Sequence, residues 1–154
     1  MLFILLLLTG PLTDQPEREA FYAVLASESE WEIVQLIQQY EQQEETPLLN
    51  AYIGTLYLKA ASFPATPKER MQNFRQGKVL IDKEIENNPT QLEMRFLRLM
   101  FQENSPGILN YKDNLEEDKT VIMQHFHTAD EALKGMIRLY AKESVILNAQ
   151  DFEP

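Results

Sequence analysis

The chain of 154 residues contains no cysteine, and that absence removes much chemistry at once. Disulfides, thiolate metal sites, cysteine nucleophiles and a lipidated cysteine are excluded, while either redox compartment stays open. Histidine occurs twice, at His125 and His127. A spacing of two puts these on different faces of a helix, unlike the i, i+4 pair that chelates a metal. No Glu-x-x-His sequence offers a carboxylate-bridged metal bundle, and no Gly-x-Ser-x-Gly elbow or glycine-rich phosphate loop occurs. Five glycines and eight prolines are too few for a loop-rich chain. No apolar run reaches the ~20 residues that span a bilayer as a helix. Neither cofactor nor metal is expected, and catalysis has no constellation to rest on.

What is present is the composition of one ordinary globular domain, 44% apolar and 25% charged. The net charge of −10 is uneven. Residues 11–60 hold nine acids against two bases, residues 61–120 ten against nine, and residues 121–154 five against three. A strongly acidic front third repels phosphate backbones, so nucleic acid is not an expected partner. A solvated acidic face is the plainer reading, and an acidic docking surface the sharper one.

Helix-start signals organise the chain. Asp14, Ser29, Thr46, Thr66, Thr90, Asn114 and Thr128 each precede an amphipathic run. Six of them, all but Thr46, have a glutamate three residues on, the pattern in which cap and acid satisfy two orphan N–H groups. Pro16, Pro47 and Pro67 add the proline favoured in a first turn. The periodicity predicts helices near 15–26, 30–43, 47–61, 67–87, 91–102, 115–126 and 129–146. In the second, Trp31, Val34, Ile37 and Tyr40 recur at three-residue steps, widened by Ile33 and Leu36. Short connections make neighbouring helices antiparallel. The expected fold is all-α: about seven helices stacked as hairpins over residues 13–147, with residues 148–154 an acidic, frayed tail.

The first ten residues read differently. Seven large apolar residues, Leu2–Leu8, are followed by a Gly10-Pro11 break, the length of a signal-peptide core. No Lys or Arg precedes the run, and Leu8 and Gly10 make a poor cleavage site. Residues 1–12 are expected to be an export signal, placing the protein in the bacterial envelope or periplasm. The alternative is a cytoplasmic protein whose first element packs on the body.

Gly54 and Tyr57 have the small-then-aromatic spacing of the first helix of a tetratricopeptide repeat, and Asn87-Asn88-Pro89 resembles the close of its second. Gly54 to Pro89 is longer than that repeat allows, and no strict 34-residue period recurs. The resemblance is therefore to repeat-like hairpins. The segment Leu92–Lys119, with Arg95-Phe-Leu-Arg98 and Asn110-Tyr-Lys-Asp113, is similar to a family of short, exported-looking bacterial helical proteins without assigned activity. That resemblance implies an all-helical fold, frequent N-terminal signals and no catalytic residues to carry over.

The same segment holds the candidate binding residues Arg95, Arg98, Asn110, Tyr111, Asp113 and Asp118. On the structural reading, an arginine reaches the start of the next helix and pairs with Asp113 or Asp118. On the functional reading, the residues form a polar groove for a partner's peptide or a small anion. Glu116-Glu117-Asp118 is no acid–base pair, because consecutive helical residues fan out by about 100°. The expected function is a non-catalytic adaptor or scaffold that binds a protein or peptide. The alternatives are a small-ligand binder or enzyme with a site in the helical core, and a self-associating homo-oligomer.

Overall fold

The computed structural model describes residues 15–63 and 65–153, so the apolar run at 1–12 and the start signal at Asp14 lie outside the described residues. Seven α-helices are described: α1 Gln15–Leu25, α2 Glu30–Tyr40, α3 Pro47–Ala60, α4 Pro67–Asn87, α5 Leu92–Asn104, α6 Leu115–His125 and α7 Glu131–Ala141. Three short 3-10 turns add Gly107–Leu109, Phe126–Thr128 and Ala149–Phe152. The all-α expectation with about seven helices is what is found. No described helix is long and apolar enough to cross a membrane.

Most starts fall where the cap chemistry puts them. Ser29, Thr46 and Thr66 each accept an N–H from the residue three ahead, and Thr66 with Glu69 completes a reciprocal capping box. Two starts move. Gln91, not Thr90, caps α5 by accepting the Met94 N–H at 2.8 Å. Thr128 donates to the His125 carbonyl and closes a 3-10 turn, which leaves Asp130 to cap α7 through the Leu133 N–H. Asn114 does start α6, but its side chain makes no cap bond.

Helices α3 and α5 are buried on nearly every side; α3 is accordingly the most apolar run, whereas α5 buries Glu93, Arg95, Arg98 and Gln102 among its apolar residues. The first core cluster joins Phe21, Ile33, Tyr40, Tyr52, Leu56 and Ile81 from α1 to α4 with Leu97 of α5. The second joins Phe96 and Leu99 of α5 to Ile122, Phe126, Ile137 and Phe152. Helix α5 is thus the partition between two cores. Where α3 crosses α4, Gly54 faces Gly77. A Cβ at Gly77 would lie 2.5 Å from the Gly54 carbonyl oxygen and 2.8 Å from the Leu58 backbone nitrogen. Only hydrogen fits there, and the bare backbones set the separation of the two helices.

Two expectations are corrected. Trp31 and Val34 do not belong to the buried stripe of α2. The inward face is Ile33, Leu36, Ile37 and Tyr40, an i, i+3, i+4, i+7 set, and Trp31 points away, 70% exposed. The tail is not frayed as far as Glu153 either. Leu147 and Phe152 are buried, Phe152 meets Phe126 at 4.9 Å between ring centroids, and its carbonyl accepts from Arg138 Nε at 2.9 Å. α7 ends at Ala141 rather than 146 because the Glu103 carboxylate draws the chain out of the helix. It accepts from Tyr140 Oη at 2.6 Å, Ser144 Oγ at 2.9 Å, and the Val145 and Ile146 N–H groups at 2.5 and 3.3 Å.

Candidate functional site

The arginine segment folds into an internal ion cluster. Arg98 donates from Nε and Nη2 to the two oxygens of Asp118 at 2.8 and 2.7 Å, a bidentate pair, and from Nη1 to Asp82 at 3.1 Å. Arg95 donates from Nη1 to Asp118 at 2.9 Å and Glu117 at 2.6 Å, and from Nε to the Pro89 carbonyl. Arg95, Arg98 and Asp118 are buried, Asp118 completely. Burial opposes the Arg98 charge, but the Asp118 and Asp82 hydrogen bonds and charges outweigh it and hold its pKa above the ordinary value. Glu117 lies below the usual carboxylate range, chiefly through its Arg95 hydrogen bond. Of the two expected partners, Asp118 takes both arginines.

The remaining candidates do not converge with them on an open groove. Asn110 is exposed and ends a 3-10 turn with φ 47°, a left-handed conformation that asparagine tolerates. Asp113 is exposed and joins none of these ion pairs. Tyr111 is buried, edge-on to Phe74 at 5.5 Å, with Lys78 Nζ 5.2 Å from its ring centroid. Its hydroxyl has no hydrogen-bond partner among the described residues. The arginine segment thus takes the form of the structural reading, a buried arginine–aspartate brace between α5 and α6, with an exposed turn beside it.

A second buried brace was invisible in the sequence. Arg18 of α1 grips Glu93 of α5 through Nε and Nη2 at 2.8–3.0 Å, and reaches Asp130 at the start of α7 at 2.7 Å. Tyr52 Oη donates to the same Glu93 at 2.8 Å. Burial, then the adjoining Glu93 charge, pushes the Tyr52 phenol well up. These partners lie 75 and 112 residues apart along the chain, so no local pattern announces them.

The open feature is elsewhere, where the C-terminal ends of α1, α3 and α5 meet the first half of α4. A groove of about 550 Å³ lies there. Leu25, Leu58, Phe74, Met100, Phe101 and Leu109 give it apolar walls, and Lys59 and Arg70 stand among its lining residues. Tyr111 sits behind the Phe74 wall, and the segment Leu92–Lys119 itself lends Met100, Phe101 and Leu109 to the groove, whereas none of the six candidate residues lines it. The local charge is unusual for the chain. Residues 67–78 carry Lys68, Arg70, Arg75 and Lys78 against Glu69 alone, in a protein of net charge −10. Arg70 is exposed and makes no ion pair among the described residues, whereas Lys59 has only a 3.9 Å approach to the exposed Glu28. A smaller cleft of about 310 Å³ lies at the opposite helix ends, lined by Glu17, Thr46, Tyr52, Gln91 and Met94 among others. Its Tyr52 hydroxyl is already committed to Glu93.

Sequence reasoning missed the groove because its walls come from four separated segments. The signal it could have used is the basic run of α4 in an otherwise acidic chain. Among the described residues, no group of three His, Cys, Asp or Glu side chains is placed to hold a metal ion. No protein-family model matches the sequence, and comparison with curated proteins and with solved structures returns no significant match.

Proposed function

We propose that the protein is a non-catalytic helical adaptor that holds an apolar, acid-flanked segment of another protein in the groove between α3, α4 and α5. The observation that carries this reading is an apolar groove with Lys59 and Arg70 at its edge, set in a chain that is otherwise acidic. Apolar walls supply affinity without direction, and cations not tied to a buried carboxylate select a partner of opposite sign. The reading also draws on analogy. Stacked, repeat-like hairpins leave grooves of this kind, and an amphipathic segment laid into a groove is a recurring mode of peptide recognition. The place of action belongs to the proposal: the apolar run Leu2–Leu8 supports export to the bacterial envelope. N-terminal peptide mass spectrometry on protein from its native cells decides between a cleaved and an intact Met1.

The binding test uses two synthetic amphipathic peptides with the same leucine face, one flanked by glutamates and one by lysines. The glutamate peptide is expected to bind, more weakly as salt rises and roughly tenfold or more weakly to Arg70→Glu. The lysine peptide is expected not to bind. Equal binding of both, or of neither, overturns the reading.

A further inference from the structure

The chain carries on its own surface the chemistry that its groove would accept. Trp31 is its single tryptophan and is 70% exposed, with Val34 beside it on the outer face of α2, also exposed. Around it stand the exposed carboxylates Glu28, Glu30 and Glu32. A large exposed indole ringed by acids is costly to leave in water and is the commonest kind of interface anchor. The donor and the acceptor also share one edge of the molecule. The Glu28 carboxylate lies 3.9 Å from the Lys59 ammonium, and Lys59 lines the groove. The first turn of α2, with Trp31, therefore begins at the rim.

Resting on the groove reading above, we infer that the segment the groove accepts is the first turn of α2 of a second copy of this chain. Trp31 enters between Phe74, Met100 and Phe101 of the other copy, and Glu30 faces its Arg70. Because the Trp31 turn and the groove adjoin, a two-fold axis at the rim lets each copy insert its Trp31 into the other at once. This is a closed, isologous dimer, not an open chain. The volume suits the ligand: about 550 Å³ admits an indole together with a neighbouring valine side chain.

The experiment is sedimentation equilibrium of the full chain over a concentration series, with tryptophan emission recorded on the same samples. Trp31 is the sole indole, so its spectrum reports this contact alone. A dimer is expected, with emission moving to shorter wavelength as the dimer forms. Trp31→Ala, Glu30→Arg and Arg70→Glu should each weaken it roughly tenfold or more, with unchanged helical circular dichroism. The double variant Glu30→Arg/Arg70→Glu should recover it. A monomer at every concentration overturns the inference. So does a dimer that survives Trp31→Ala or leaves the wild-type emission unmoved. If the chain stays monomeric while the glutamate-flanked peptide still binds, the second-copy inference falls and the adaptor reading stands. If that peptide fails as well, both fall.

Discussion

Two regions at either side of α5 use the same residue types to opposite ends. Along its length, Arg95 and Arg98 are buried and fully engaged with Asp118, Asp82 and Glu117, and Arg18 is engaged in the same way with Glu93 and Asp130. At its C-terminal end, Lys59 and Arg70 border an apolar groove, and Arg70 makes no ion pair among the described residues. What separates structural from available cations is not their identity or local sequence. It is whether the fold buries a carboxylate beside them, as Asp118 is buried beside Arg95 and Arg98, whereas Lys59 has only the exposed Glu28 at 3.9 Å. A buried guanidinium without its anion is costly, so the first kind is tied to stability. An exposed cation adds little to stability and is free for recognition.

The sharpest way to break this contrast is at Asp118, which serves two buried arginines. Asp118→Asn removes the shared charge and is expected to cost about 3–5 kcal/mol, measured by urea unfolding. A loss below about 1 kcal/mol would mean that the brace is solvated like a surface pair. Next comes the α3–α4 crossing. A methyl at Gly77 cannot fit 2.5 Å from a carbonyl oxygen without moving a helix, so Gly77→Ala should cost about 1–3 kcal/mol. Gly135, whose Cβ would meet nothing within 4 Å, is the control: Gly135→Ala should be neutral or stabilising by up to about 1 kcal/mol in the same assay.

The fold was more legible than the site, for a physical reason. Caps and periodicity act within a few residues, so Ser29, Thr46 and Thr66 could be read directly. The exceptions are instructive. Thr128 lost its expected role because its hydroxyl closes a 3-10 turn, and α7 lost its last turn to Glu103, which lies about forty residues earlier. Trp31 points outward although its steps of three mimic a buried stripe; Ile33 and Leu36 mark the true face. The arginine segment is chemically conspicuous, and Asp118 is one of the two partners its spacing offers. Whether such a cluster faces solvent or core is decided by packing between α5 and α6, and local sequence does not encode it. The groove has no sequence motif, since Leu25, Leu58, Phe74, Phe101 and Leu109 meet only after folding.

A smaller effect is expected from pH. Partial burial raises the Glu103 pKa, but donors from Tyr140, Val145, Ser144 and Ile146 outweigh that and hold it below its ordinary 4.5. A carboxylate whose folded value is depressed stabilises the fold above the unfolded value. That contribution disappears as pH falls through the folded value. Wild-type stability should therefore drop below about pH 4.5, with docking of residues 144–152 most affected. Glu103→Gln should be less stable near neutrality and show a smaller acid dependence. Parallel pH profiles for the two proteins would remove Glu103 from the account. The smallest change in stability is expected at the groove: Arg70→Glu should alter it by no more than about 0.5 kcal/mol while binding is lost.

The central claim is that recognition belongs to the groove and not to the Arg95–Arg98–Asp118 brace, and an amide NMR titration with the glutamate-flanked peptide tests it directly. The account predicts shifts confined to the groove: Leu58–Ser62, Arg70–Phe74 and Met100–Leu109. Shifts centred instead on Arg95, Arg98 and Asp113–Asp118 would contradict it.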